Sequence, residues 1–211
     1  GTIITKEHRK VIREAKVPVV LLGQQTEFCS CVYHDDFNAA KEITDILVKN
    51  ISPEDKIAKI GVTNLDTAAG LKRTDGFLKA VRDGKIKEEN VVQVTSEFTM
   101  ESGYEKMQEI LTEYKDVKAV FCATDSIAIG AMMCIKNAGY KIPENIQIAG
   151  IGDSTMGDII EPKLTTAHYY YKTSGKEAAR LLINLLQNSD SVHKEIKMGY
   201  KIIEKQSTKR E

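Results

Sequence analysis

His34, Asp35 and Asp36 form a compact group of ionisable side chains. A carboxylate pair beside an imidazole can transfer protons, so these residues are candidates for acid–base catalysis. The same aspartates directly precede a stretch with helical periodicity. Aspartates in that position cap the first turn and complement the positive end of the helix dipole. The pattern therefore favours the start of a helix over a catalytic pair.

The motifs that bind nucleotides or activate a serine are incomplete or missing. Gly150 and Gly152 match the first half of a dinucleotide-binding turn, but the third glycine is absent and a loop follows instead of a helix. The sequence has neither a phosphate-binding P-loop nor a G-x-S-x-G turn. We therefore expect no cofactor and no enzymatic activity.

The spacing of histidines and cysteines does not fit a metal site either. No two histidines are four residues apart, and no cysteines form a C-x-x-C pair. The residues in question are His8, His34, His168, His193, Cys29, Cys31, Cys122 and Cys134. We expect no bound metal, and we interpret the cysteines as reduced, buried thiols of a cytoplasmic protein.

Binding of a small ligand fits the sequence better than catalysis. Ligands of open α/β sheets lie beyond the carboxyl ends of the strands, and polar or aromatic residues follow several predicted strands here. These residues are Arg73, Phe77, Thr124, Asp125 and Asp153. Arginine, aspartate and threonine can hydrogen-bond sugar hydroxyls, and an aromatic ring can stack on a sugar. Each residue also has a plainer interpretation, such as an exposed helix position for Arg73, a core position for Phe77 and a helix cap for Asp125.

The surrounding pattern alternates short apolar runs with helical stretches, which predicts an α/β fold with parallel sheets covered by helices. Strands are predicted at 1–5, 17–23, 57–63, 91–95, 119–123, 146–151, 164–169, 195–198 and 200–204. Helices are predicted at 6–15, 37–49, 68–83, 100–114, 126–137 and 172–187. The stretch 150–157 is predicted to be a loop.

Composition excludes several classes of protein. The 211 residues include 30 basic and 30 acidic side chains, so no net charge is available to hold a nucleic-acid backbone. With 42% apolar and 28% charged residues the chain has the composition of a globular protein. No run approaches the roughly 20 apolar residues of a membrane-spanning helix, so we expect no membrane association. The chain begins without Met, which we interpret as the start of a fragment.

Several short segments, in order, resemble motifs of the lactose-repressor (LacI/GalR) family of transcription regulators. Arg73–Phe77 resembles R-x-x-G-F, Ala123–Gly130 resembles N-D-x-x-A-x-G, and Ile142–Gly150 resembles I-P-x-D-I-S-V-x-G. Pro162–Thr166 and Glu204–Thr208 resemble P-x-L-T-T and R-x-S-T. Thr124 stands where the family usually has Asn, and Gly152 stands where the first of two aspartates is common.

The resemblance implies a two-lobed fold like that of periplasmic sugar-binding proteins, with an incomplete N-terminal lobe. Residues 1–32 and 169–192 would belong to the N-terminal lobe, and residues 33–168 and 193–205 to the C-terminal lobe. The chain would cross between the lobes near Val32, His168 and Asn188 and form a hinge. The implied ligand-binding residues are Arg73, Phe77, Thr124, Asp125, Asp153 and Tyr171.

The function implied is that of the effector-binding core of a cytoplasmic transcription regulator. A sugar or sugar phosphate would control lobe closure, and the core would form a homodimer. Operator DNA would be bound only by an N-terminal helix-turn-helix head that this chain lacks. The alternative is a solute-binding protein of a sugar transport system. A third possibility is an enzyme that uses His34, Asp35 and Asp36.

Overall fold

Two separate parallel sheets organise the chain. The computed structural model describes residues 3–188 and 192–208. In the described residues the strands are β1 (Val20–Leu22), β2 (Ser30–His34), β3 (Lys56–Gly61), β4 (Val91–Thr95), β5 (Val117–Cys122), β6 (Gln147–Ile151), β7 (Thr165–Tyr169), β8 (Glu195–Met198) and β9 (Tyr200–Ile203). The helices are α1 (Lys6–Glu14), α2 (Asp36–Lys49), α3 (Arg73–Asp83), α4 (Met100–Glu113), α5 (Asp125–Asn137), α6 (Thr155–Ile159) and α7 (Tyr171–Gln187). A π-helical turn, Thr67–Lys72, leads into α3, and a 3-10 turn, Glu88–Asn90, precedes β4.

The larger sheet has the strand order β4-β3-β5-β6-β7-β9, with β9 antiparallel to β7 and the other pairs parallel. Its strands read as apolar runs because both faces are covered. Ile57 and Phe121 belong to a core that includes residues of α2 and α3, whereas Ala58 and Val120 belong to a second core that includes residues of α4 and α5. The alternation of side chains along each strand therefore supplies both cores.

Two of the motif glycines permit close helix packing. A Cβ atom added to Gly76 of α3 would lie 2.2 Å from the carbonyl oxygen of Phe37 in α2. A Cβ atom added to Gly130 of α5 would lie 1.8 Å from the carbonyl oxygen of Met100 in α4. These distances are far below van der Waals contact, so only glycine allows the backbones to approach this closely.

The smaller sheet has the order β1-β2-β8 and is parallel throughout. Helix α7 packs on β1 and β2. Helix α1 buries none of its residues, and its Arg9 and Arg13 guanidinium groups lie 5.7 and 5.9 Å from the centre of the Phe28 ring. By sheet membership the chain passes between the two sheets after β2, after β7 and after β8.

The α/β class with parallel sheets is confirmed. The prediction of a strand at 1–5 fails in its described part, because residues 3–5 form no strand and Thr5 caps α1; residues 1 and 2 lie outside the described part. The strand β2 and the helix α6 were not predicted. The third passage between the sheets was expected near Asn188, but it follows β8, because residues 195–198 pair with β2 in the smaller sheet. The assignment of residues 193–205 to the C-terminal lobe is therefore wrong for β8, which belongs to the smaller sheet.

Candidate ligand-binding cleft

A cavity of about 620 Å³ lies where the carboxyl ends of strands from both sheets meet. In the larger sheet the chain reverses its direction of strand addition between β3 and β5, and the segments after these two strands enter the cavity. Such a reversal leaves a crevice in which α/β proteins bind ligands. The polar and aromatic side chains that line the cavity include His34, Asp36, Asp66, Arg73, Phe98, Thr124, Asp125, Tyr169, Tyr171 and Ser174.

A buried ion pair forms the centre of this cavity wall. Asp36 Oδ1 accepts hydrogen bonds from Arg73 Nε at 2.7 Å and from the Tyr169 hydroxyl at 2.9 Å. Arg73 Nη1 donates to the carbonyl oxygen of Ala123 at 2.5 Å. Asp36 is the first residue of α2, Arg73 the first of α3, and Ala123 follows β5. One arginine therefore links the segments that follow β2, β3 and β5 and holds a positive charge at the cleft.

Aromatic rings cover one side of the ion pair. The His34 and Tyr169 rings are stacked, with centres 4.4 Å apart, and Tyr171 meets the His34 ring edge-on at 5.3 Å. His34 Nε2 is 2.9 Å from the Ser174 hydroxyl of α7. Burial lowers the pKa of the His34 imidazole and so favours the neutral form of the ring. Tyr171 keeps 55% of its surface exposed and can contact a ligand that enters the cleft.

Asp125 lines the cavity, but its carboxylate is already bonded. The helix α5 is capped by Thr124, whose hydroxyl accepts from the Ile127 backbone N–H, so the expectation that Asp125 is the cap is wrong. Extended backbone angles at Thr124 put its hydroxyl over the first turn. Asp125 Oδ1 accepts from the Thr166 hydroxyl and Oδ2 from the Ser154 backbone N–H, each at 2.7 Å. Burial raises the pKa of the Asp125 carboxyl.

Two of the expected ligand-binding residues do not line the cavity. Phe77 is fully buried and stacks on Phe121 with ring centres 5.7 Å apart, because its position on α3 faces the sheet. Asp153 has a left-handed backbone with φ of 52°, directly after Gly152 with φ of 143°. Its carboxylate lies 2.8 Å from His168 Nδ1 and 3.3 Å from Lys205 Nζ and so connects β7 with the segment after β9.

The structure adds cavity residues that the sequence did not identify as ligand-binding. The sequence pattern indicates a helix start or a catalytic role for Asp36, a catalytic role for His34 and a strand end for Tyr169. It does not single out Asp66, Phe98 or Ser174. Phe98 carried a usable signal, because it follows β4 and a sheet presents the carboxyl ends of its parallel strands on one edge. Ser174 carried none, because it lies within α7, far along the chain from the strands it approaches.

The other features give less support for a site. A larger cavity of about 760 Å³ lies beside α1 and includes Ile4, Arg9, Phe28 and Glu195, but no buried ion pair lies among its described lining residues. Within 3–188 and 192–208 no cluster of three potential metal ligands occurs. Over the same ranges no helix is long and apolar enough to span a bilayer. All four cysteines are buried free thiols.

A family model of periplasmic binding protein-like domains matches residues 55–208. The chain is 29% identical to the HTH-type transcriptional regulator CelR of Thermobifida fusca over 193 residues, which is 87% of this chain and 56% of that protein. It is also 29% identical to the sucrose operon repressor of Staphylococcus xylosus, over 89% of this chain and 57% of that protein. The chain thus spans little more than half the length of these relatives.

Solved structures show the same architecture. A CelR–cellobiose complex superposes with a TM-score of 0.85 at 26% identity and covers 95% of this chain and 62% of that one. A LacI family transcriptional regulator from Enterococcus faecium with bound ribose has a TM-score of 0.85 at 23% identity, over 97% of this chain and 75% of that one. At the latter identity the likeness concerns the fold alone.

Proposed function

The chain belongs to the family of periplasmic binding protein-like domains, and from that premise we propose that it is the sugar-binding effector core of a LacI-type transcription regulator. The observation that carries the proposal is the buried Arg73–Asp36 pair beside the exposed Tyr171 ring in the cleft between the two sheets. The resemblance seen in the motifs agrees with the relatives, which are regulators of this type.

The chemistry of the cleft suits a polyhydroxylated ligand. Arg73 supplies a guanidinium that stays charged at any physiological pH, and Thr124 supplies a hydroxyl. Tyr171 and Phe98 supply partly exposed rings that can stack on the C–H face of a sugar. Bound cellobiose in one similar structure and bound ribose in another support a sugar as the ligand class.

Binding would act by changing the relation between the two sheets. The cavity takes residues from β1 and α7 on one side and from the segments after β3 and β5 on the other. A ligand that touches both sides favours a closed arrangement in proportion to its differential affinity for that arrangement. The three chain passages between the sheets are the places at which such a movement can pivot.

The remaining parts of the proposal concern partners and location. We place the protein in the cytoplasm as a homodimer that reaches operator DNA through a helix-turn-helix head outside the part described here. The named relatives favour a regulator over a secreted solute-binding protein. An enzyme is less well supported, since Asp35 caps α2 and Asp36 is held by Arg73 and Tyr169.

Calorimetry on the complete gene product tests the proposal. Cellobiose, sucrose and ribose are titrated into the protein, together with ribose 5-phosphate and sucrose 6-phosphate. We expect saturable binding of at least one of these ligands. We also expect the sugar that binds to change the affinity of the protein for its operator, in either direction. Absence of binding to all five, or turnover of the ligand by the protein, would contradict the proposed function.

A further inference from the structure

Asp66 lines the cleft and has a buried carboxylate with one oxygen that lacks a hydrogen-bond partner in the described part of the structure. The residue is 1% exposed and lines the same cavity as Arg73 and Thr124. In the described part of the structure its Oδ2 atom has no hydrogen-bond partner. A buried carboxylate oxygen without a donor is unfavourable, because it has lost its contact with water and gained nothing in return. A hydrogen-bond donor on a ligand would therefore satisfy Asp66 Oδ2.

Local structure explains why only one oxygen is free. Asp66 caps the π-helical turn Thr67–Lys72, and its Oδ1 accepts from the backbone N–H groups of Ala68 at 3.0 Å and Ala69 at 2.9 Å. These bonds occupy one carboxylate oxygen and fix the orientation of the other. A serine or an asparagine would be enough for the cap, so the cap alone does not require a second carboxylate oxygen.

The charges that line the cavity favour a ligand without phosphate. Asp36, Asp66 and Asp125 line it, Arg73 is the single lining cation with a permanent charge among the described residues, and no lysine lines it. Asp36 already pairs with Arg73, and Asp125 is bonded to Ser154 and Thr166. A phosphate group placed here would lie near more carboxylates than permanent cations, and this excess of negative charge would repel it.

We propose that Asp66 accepts a hydrogen bond from a hydroxyl group of an unphosphorylated sugar and thereby makes the cleft selective for neutral over phosphorylated sugars. The proposal rests on the proposed function, because it requires that a sugar binds in this cleft. It adds to that function Asp66 as a ligand-binding residue and the absence of charge on the sugar. Hydrogen bonds from a ligand to a buried charged acceptor discriminate strongly, since an analogue that cannot form them leaves the acceptor unpaired.

Two substitutions separate the binding role from the cap. Asp66→Ser keeps an oxygen for the cap and removes the second oxygen, and Asp66→Asn keeps Oδ1 and replaces Oδ2 with a donor. Asp116→Asn is the matched control, because Asp116 is an exposed aspartate whose partner is Lys56, in the larger sheet. The complete gene product and each variant are titrated with cellobiose, sucrose and ribose, and with ribose 5-phosphate and sucrose 6-phosphate. Thermal unfolding is measured without ligand.

We expect the unaltered protein to bind a neutral sugar about tenfold or more tightly than the phosphorylated sugars. Both Asp66 variants should lose about 10- to 100-fold in affinity for that sugar, with no fall in the unfolding temperature of the ligand-free protein. Asp116→Asn should bind as the unaltered protein does. Equal affinity of the Asp66 variants, or preference of the unaltered protein for a phosphorylated sugar, would overturn this inference alone. Failure of the unaltered protein to bind any of the five sugars would overturn the proposed function as well.

Discussion

Asp36 and Arg73 contribute to the cleft as a pair, and neither side chain can be understood alone. Both are buried, at 5% and 10% side-chain exposure, and their atoms meet at 2.7 Å. Removing one partner of a buried pair leaves an uncompensated charge, whereas the net contribution of the intact pair to stability is small. The pair is therefore better explained by its place in the cleft than by stability.

A double-mutant cycle tests this pair. We expect Arg73→Met to lower the free energy of unfolding by about 3–5 kcal/mol, and the double variant with Asp36→Asn to be destabilised by less than the sum of the single variants. Urea unfolding measures both quantities. The exposed pair Lys87 and Glu54, at 49% and 69% side-chain exposure, is the control and should show little or no coupling. Coupling no larger in the buried pair than in this control would contradict the account.

Phe77 and Tyr171 form a matched comparison of a core ring and a cleft ring. Phe77→Leu should reduce the free energy of unfolding by about 1–2 kcal/mol and leave the dissociation constant of the bound sugar unchanged, because the ring is fully buried outside the cavity. Tyr171→Leu should do the reverse and weaken sugar binding about tenfold with little loss of stability. Denaturation and calorimetry on both variants check this. A large loss of sugar affinity in Phe77→Leu would instead support the ligand-binding role that the family resemblance implies for Phe77.

The sequence predicted parts of the site for an identifiable reason. Arg73, Thr124 and Asp125 follow buried strands, and strand ends of a parallel sheet share an edge, so their meeting could be expected. The partner of Arg73 could not be expected, because Asp36 lies in a different part of the chain and is brought close only by packing of α2 against α3. Phe77 also follows β3 and matches the family motif, but its burial on α3 makes it a core residue.

At the scale of elements, β3 contains an unusual residue for a buried strand. Lys59 is 6% exposed, and its Nζ donates to the Thr74 hydroxyl at 2.8 Å. Burial lowers its pKa to about 8, against an ordinary value of 10.5, while Asp75 acts in the opposite direction. The native state thus disfavours the charged lysine, which the unfolded chain accepts freely.

This lysine makes stability depend on pH. Between pH 8 and 10.5 the unfolded chain binds more protons at Lys59 than the native state does, so the contribution of Lys59 to the free energy of unfolding should rise with pH across that window. The rise is about 3 kcal/mol at most, and below pH 8 the contribution stays at its low value. In urea unfolding from pH 7 to 10, the free energy of unfolding of the unaltered protein should rise relative to that of Lys59→Met, because the variant lacks this contribution. Lys56→Met, on the same strand, is the control. An identical pH profile in Lys59→Met would show that this pKa shift is absent.

Most elements of the larger sheet were predictable, because long apolar runs alternate with helical stretches. The strand β2 was missed, since Ser30–His34 has a polar residue at each end and no long apolar run between them. The sheet membership of β8 was also missed, because residues 195–198 alternate between exposed and half-buried positions and carry no signal for which sheet they join. Partner choice there depends on the free edge of β2, a feature of the assembled fold.

At the scale of the whole molecule, the cleft depends on two sheets that supply different chemistry. The larger sheet supplies Asp66, Arg73 and Thr124, and the smaller sheet with α7 supplies His34 and Ser174. Direct contacts already join the two sides: the His34 ring stacks on Tyr169, and the Thr67 hydroxyl donates to Gln24 Oε1 at 3.3 Å. A ligand between them would add contacts of the same kind and favour approach of the two sides.

The crystal structure of the complete protein with the sugar that binds it tightest tests the central claim most directly. The account predicts that the sugar lies between the two sheets and contacts Arg73, Thr124 and Tyr171, with a hydroxyl donated to Asp66 Oδ2. A sugar bound instead in the cavity beside α1, or a cleft that stays empty while the sugar is bound elsewhere, would contradict it.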